Sequence, residues 1–317
     1  MPFHDSPAPN LVWLDQGHTS RSQVGGKAAS LSSLLALGAP VPSAFALTVD
    51  AYAEFSAVHG FPRCVTDVTL ADLPQLRDDI VSAPLPVHLA DIVATAYQEM
   101  RERANGELSL AVRSSGTAED SAAFSFAGLH DTVLDVRSLA GLEAAIKRCW
   151  ASLWTDRAIQ YRLDGGLAAD PPDIAVVVQQ LVRSDVSFIA FSADPVSQDD
   201  SHVVIDASWG LGEAIVSGLV VPDHITIDAN GEVKEYAVGS KHMMVIPGEC
   251  PDAGTREVPV PRMLQQMPAL NHGQASAIAT MARELARKFG YQVDLEGGIA
   301  GDQIHIFQAR PITTLGR

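Results

Sequence analysis

Residues 110–136 read LAVRSSGTAEDSAAFSFAGLHDTVLDV, and the rest of the chain is organised around them. The stretch opens as a short apolar strand and is expected to break at Arg113, Ser114 and Ser115 into a loop of small residues, Gly116, Thr117 and Ala118. Backbone N–H groups exposed in such a turn form a concavity for anions. Arg113 at its mouth offers planar, bidentate donors matched to a phosphate. Taken alone, an RSSG step also fits a plain strand-to-turn transition at the surface.

The chain around this stretch has 317 residues, enough for a substantial core and for two lobes. With 47% hydrophobic and 19% charged residues it has the composition of a globular protein. No apolar run reaches membrane-spanning length, and the N-terminal sequence has no basic-then-apolar leader, so a cytoplasmic protein is expected. Cys64, Cys149 and Cys250 are far apart and odd in number, which argues against a disulfide framework or a CxxC metal site. Twenty-two Lys and Arg against 38 Asp and Glu leave a net charge of −16 with no basic tract. Nucleic acid and anionic membranes are therefore excluded as expected partners, because both are held by clustered positive charge. A nucleotide needs only a local Arg, a Lys and a divalent cation.

The run AVRSSGTAEDSAAFSFAG (residues 111–128) resembles the nucleotide-binding domain of the phosphoenolpyruvate-utilising dikinases, the family of phosphoenolpyruvate synthase, pyruvate phosphate dikinase and rifampin phosphotransferase. The resemblance continues in order along almost the whole chain. VGGKAASL (residues 24–31) resembles the family's opening motif, in which a lysine reaches ATP; this would be Lys27. Physically, two glycines at a helix start leave N–H groups for an anion, and Lys27 adds a point charge. ASLWTDRAIQYR (residues 151–162) is similar to a family helix, with Arg157, Tyr161 and Arg162 expected to anchor it. IAVVVQQLV (residues 174–182) reads as a buried strand and resembles the segment that joins two lobes and lines the adenine pocket. Gln179, Gln180, Leu181 and Val182 are its adenine-side candidates. ASWGLGE (residues 207–213) matches a family turn in which Glu213 would hold a basic residue or a water, and Asp223 and Lys241 fall in Pro-Asp and Gly-Ser-Lys steps similar to those of the family.

Periodicity predicts helices from about Asp50, over residues 72–82 with Asp72 as cap, along an apolar stripe from Leu89 to Met100, from about Leu142 and over residues 274–289. Residues 231–267 read as a strand pair and a loop rich in Pro and Gly. The closing stretch, QVDLEGGIAGDQIHIFQARPITTL (residues 292–315), alternates polar and apolar residues around a Gly-Asp turn, which puts Glu296, Gln308 and Arg310 on one face of a hairpin. It resembles the family's closing hairpin. A carboxylate and an amide carbonyl are hard oxygen ligands suited to Mg²⁺, and the arginine would neutralise charge on a phosphoryl group in transit. Asp294 would support Glu296.

Two positions depart from the family. Phe188 stands where relatives have glycine and Gly297 where they have tryptophan, and both are expected in the nucleotide cleft. Complete dikinases also carry a swivelling phosphohistidine domain, and none of this chain's ten histidines, His130 included, lies in its motif. The resemblance implies an α+β, two-lobed ATP-grasp domain, with lobes over residues 1–182 and 183–317 and ATP between them. It further implies an ATP- and Mg²⁺-dependent phosphotransferase subunit that passes phosphate to a histidine on a separate partner protein and releases AMP. A self-contained ATP-grasp kinase or ligase, and a nucleotide sensor without turnover, are the alternatives.

Overall fold

The computed structural model describes residues 9–17, 19–104, 106–117, 132–164 and 173–313. In chain order its elements are β1 (Leu11–Trp13), α1 (Arg21–Ala36), β2 (Ala44–Leu47), α2 (Val49–His59), α3 (Leu73–Ser82), α4 (Val87–Arg103), β3 (Leu110–Gly116), β4 (Thr132–Val136), α5 (Leu139–Ala151), α6 (Asp156–Asp164) and β5 (Ile174–Gln180). There follow β6 (Val186–Phe191), β7 (Val203–Trp209), the short α7 (Glu213–Val216), β8 (Asp223–Ile227), β9 (Val233–Ala237), β10 (Met243–Pro247), β11 (Thr255–Pro259), α8 (His272–Phe289), β12 (Val293–Ala300) and β13 (Gln303–Pro311). They form two compact units. One comprises Met1–Ser32, Ser43–Leu181 and Cys250–Gly254, the other Ser33–Pro42, Val182–Glu249 and Thr255–Arg317.

The first unit is built on an antiparallel sheet ordered β1-β2-β5-β3-β4. Its centre is β5, whose run of Ile, Ala and Val is buried on both faces, as β-branched residues in a central strand should be. Leu110, Val112, Ile174, Val176, Val178, Phe45 and Leu47 share one face and join Phe55, Trp150 and Trp154 in the core. Phe55 and Trp150 meet with ring centroids 4.7 Å apart. Cys149 is buried there, as its helical pattern predicts. Arg162 is buried too, beside Tyr52, whose hydroxyl accepts from Trp154 Nε1 at 2.9 Å and is pushed up to about 12 by burial. Arg162 thus anchors α6, as its motif implies.

Local capping moves several predicted boundaries. The helix expected from Leu142 starts at Leu139, because Ser138 accepts from Gly141 N at 2.9 Å. The helix expected from Gln274 starts at His272, because Asn271 and Gln274 form a reciprocal capping box. Asp72 does not cap α3 with its side chain; Oδ2 accepts instead from Thr69 N and Oγ1, closing the preceding 3₁₀ turn.

The second unit contains a six-stranded antiparallel sheet ordered β13-β12-β6-β7-β8-β9 and the separate hairpin β10-β11. The strand pair expected in residues 231–267 is therefore β9, which extends the sheet, followed by a two-stranded ribbon. Helix α8 lies against this sheet and buries Ala275, Ile278, Ala279, Ala282 and Leu285. No single helix among the described residues is long and apolar enough to cross a membrane.

Candidate functional site

In the first unit the Gly-Gly-Lys and Arg-Ser-Ser motifs meet. The strand does not break at Arg113 as expected: the ladder to β5 continues through Arg113↔Val177, Ser114↔Val176, Ser115↔Ala175 and Gly116↔Ile174, and the chain turns only at Thr117. Ala118, the following residues to 131 and His130 lie outside the described residues. Helix α1 is interrupted at Gly25, whose φ of 74° and ψ of 178° are open to glycine alone. This places Gly25 directly on Ser115. A Cβ there would stand 2.1 Å from Ser115 O and 2.4 Å from Ser115 Oγ.

Polar contacts complete the junction. Lys27 Nζ donates to Ser114 O at 2.9 Å, Ala28 N to Ser115 Oγ at 3.3 Å and Arg21 Nε to Thr117 O at 3.1 Å. The N–H of Ala28, just after the two glycines and Lys27, is thus taken by Ser115. Strand alternation puts Arg113 and Ser115 on the sheet face opposite the aromatic core, and Gln179 joins them there through its pairing with Ala111. Gln180 points the other way. Gln180 N donates to Ser43 O at 2.9 Å and Leu181 N to Ser109 O at 2.8 Å, so an adenine edge does not find its donors in these two N–H groups. Val182 O accepts from Ser184 N at 2.9 Å.

In the second unit the closing hairpin forms as expected. Glu296 pairs directly with Gln308 and Asp294 with Arg310, so all four side chains rise on one face of β12 and β13. Gln308 is buried at 1% exposure, Glu296 is half-buried, and Arg310 Nη1 lies 3.8 Å from Glu296 Oε1. The same face continues across Ile189 to Asp206 and His224, where His224 Nδ1 and Asp206 Oδ1 are 2.8 Å apart. Sequence reasoning missed that pair, because only the register of β6, β7 and β8 brings it onto this row. Glu213 begins α7, exposed, and its Oε2 accepts from Thr255 Oγ1 at 2.7 Å.

Phe188 is not in the polar site. It is the cross-strand partner of Gly297, and alternation along β6 turns it to the face opposite Glu296 and Ile189, where it is 1% exposed. The two departures from the family pattern are one packing arrangement: a Cβ on Gly297 would stand 2.3 Å from Phe188 Cζ. A second feature unseen in the sequence is a buried polar cluster. Asp223 Oδ1 accepts from Lys241 Nζ and from Gly239 N at 2.9 Å, while Oδ2 accepts from Ala269 N at 2.6 Å and Tyr236 OH at 3.1 Å. Asp223 and Lys241 are both wholly buried, and burial pushes the Tyr236 phenol far above its ordinary value. The Pro-Asp and Gly-Ser-Lys steps are therefore the two halves of one ion pair.

Among the described residues no cluster of three His, Cys, Asp or Glu side chains could cage a metal by itself. The donor set fits Mg²⁺ nonetheless. That ion ordinarily takes one or two protein ligands and completes its shell with water and phosphate oxygens, and Glu296 with the Gln308 carbonyl supplies such a pair. A cavity of about 920 Å³ elsewhere in the first unit is lined by Asp50, Glu54, Asp91 and Glu99. Four carboxylates suit a polyphosphate poorly, and none of the predicted site residues lines it.

The family model described as "Pyruvate phosphate dikinase, AMP/ATP-binding domain" matches residues 21–317. Rifampicin phosphotransferase of Streptomyces sviceus is 39% identical over 317 aligned residues, 95% of this chain and 36% of that protein. The prodigiosin synthesizing transferase PigC of Serratia marcescens is 37% identical, over 92% of this chain and 32% of its own length. A probable phosphoenolpyruvate synthase of Methanothermobacter thermautotrophicus is 34% identical, over 92% and 44%. The chain thus spans less than half the length of the curated relatives it matches.

Proposed function

Because the chain belongs to the pyruvate phosphate dikinase AMP/ATP-binding domain family, an α+β nucleotide-binding domain of the ATP-grasp type, we propose that it is the ATP-activating part of a dikinase-type phosphotransferase. Lys27, Arg113 and Thr117 hold the phosphates. The segment 179–182 takes the adenine side through side chains and carbonyls, and Glu213 supports the nucleotide through the hairpin residue Thr255. Glu296 and Gln308 hold Mg²⁺, which neutralises the polyphosphate when bound. Arg310, beside Glu296, faces the charge that grows on the phosphoryl group as it leaves, where a fixed guanidinium stabilises the transition state more than the ground state.

The observation that carries this reading is the Glu296–Gln308 cross-strand pair with Arg310 and Asp294 on the same face. In this proposal the β- and γ-phosphates leave AMP together for a histidine on a separate phosphohistidine-domain protein, and water then removes the terminal phosphate as inorganic phosphate, leaving the β-phosphate on the histidine. Phe188 and Gly297, the departures that would allow a self-contained kinase or ligase, both face away from this polar row. The test is incubation with Mg²⁺ and β-labelled ATP, alone and with the phosphohistidine-domain protein that co-purifies from the native cells. Acid-labile label on the partner with stoichiometric AMP is expected. Formation of ADP by the chain alone, with no labelled protein, overturns the proposal.

A further inference from the structure

The two ligands assigned to the metal owe their alignment to the backbone that follows them. Directly after the Glu296↔Gln308 pair the register shifts, Gly297 pairing with Ile306, so that β13 carries one extra residue, Phe307. Such a bulge bends its strand and re-aims the neighbouring side chains. Here the opposite strand at the bulge is pinned from both sides. A Cβ on Gly297 would meet Phe188 Cζ at 2.3 Å and His305 O at 2.6 Å, and one on Gly298 would meet Ser184 Oγ at 2.2 Å and Phe307 Cε2 at 3.0 Å. The backbone of residues 297 and 298 is therefore held between the ring of Phe188 and Ser184 on one side and β13 on the other. An aromatic ring laid over a cross-strand glycine fixes strand register.

We propose that Phe188 is a positioning residue for the metal pair: its ring clamps Gly297, holds the bulge, and so aligns Glu296 with Gln308 although it touches neither the metal nor the nucleotide. The inference rests on the assignment of Glu296 and Gln308 to Mg²⁺. Loss of the ring loosens the junction one bond from Glu296, and outer partners that orient ligands carry a large share of metal affinity.

The experiment is a Mn²⁺ titration of the full chain by electron paramagnetic resonance, with a non-hydrolysable ATP analogue present, alongside thermal melts of the same samples. Phe188→Leu and Phe188→Met keep apolar volume in the core, and Gly297→Ala presses on the clamp from the other side. All three are expected to weaken Mn²⁺ binding by roughly tenfold or more at temperatures where the melts show folded protein. Wild-type Mn²⁺ affinity in the folded Phe188 variants, with only the melting temperature lowered, overturns the inference and leaves Phe188 a packing residue. Glu296→Ala separates the two readings: if it binds Mn²⁺ like wild type, the metal assignment itself fails.

Discussion

Gly25 lies with its α-carbon against the backbone of Ser115, so close that a methyl group there would stand 2.1 Å from the Ser115 carbonyl oxygen. The contact joins the Gly-Gly-Lys motif to the Arg-Ser-Ser motif, which are 87 residues apart at Lys27 and Ser114. Gly25→Ala combines that clash with a backbone conformation of φ 74° and ψ 178° that alanine disfavours. It is expected to cost about 1–3 kcal/mol from backbone strain alone and to weaken binding of an ATP analogue. Urea unfolding and calorimetric titration check both effects, and an unchanged midpoint with unchanged affinity would refute the close approach.

The phosphate-holding role proposed for Lys27 and Arg113 and the charge-stabilising role proposed for Arg310 are expected to separate kinetically. Lys27→Met and Arg113→Ala are expected to reduce nucleotide affinity, since they act on bound phosphate. Arg310→Ala is expected to leave affinity within a few-fold of wild type while slowing phosphoryl transfer by on the order of 10³, the scale of a lost arginine in phosphoryl transfer. Single-turnover transfer measured beside equilibrium binding makes the distinction. Equal losses in both for Arg310→Ala would contradict its assignment to the transition state.

The wholly buried Lys241–Asp223 pair leaves an uncompensated charge when either partner is removed. Lys241→Met or Asp223→Ala is expected to destabilise the protein by roughly 3–5 kcal/mol, with the double replacement by apolar residues costing less than the two single changes summed. A double-mutant cycle by denaturant unfolding measures this. Additive losses would show that the two side chains do not act as a pair.

Asp252 supplies a pH-dependent contribution. Burial raises its carboxyl, but the Ser138 hydroxyl and the backbone N–H groups of Arg137 and Ser138 outweigh that and hold it below its ordinary value of 3.8. A depressed folded value means that the stabilisation is fully present above pH 3.8 and fades as pH falls through the lower folded value. Asp252→Asn is therefore expected to melt earlier than wild type at neutral pH, because a neutral amide is a poorer acceptor than a carboxylate for the Ser138 hydroxyl and the two backbone N–H groups. The gap between the two proteins is expected to close on acidification below 3.8. A gap constant from pH 7 to pH 3 would rule out the carboxylate as its source.

Local patterns were legible where a physical signal is itself local. The apolar run of β5, the stripe of α4 and the alternation of the closing hairpin predict their own elements, because burial on one face imposes a period of 3.6 or 2 on the residues concerned. The polar face of the hairpin was legible for the same reason, and Glu296, Gln308 and Arg310 rise together on it. Boundaries were less legible at Asp72 and Leu139, because the caps depend on which side chain reaches which N–H, a competition that spacing does not decide.

The sequence by itself determined the family, the α+β class and the residues proposed for phosphate and metal, because motif residues and periodicity survive in one dimension. Only the tertiary structure decided which motifs are partners. Register across β6 and β12 puts Phe188, expected in the nucleotide cleft, over Gly297 instead. Folding brought Asp223 to Lys241 and Gly25 to Ser115. The physical reason is that strand register and close packing are relations between distant segments, set by the joint burial of both, and no single segment carries them.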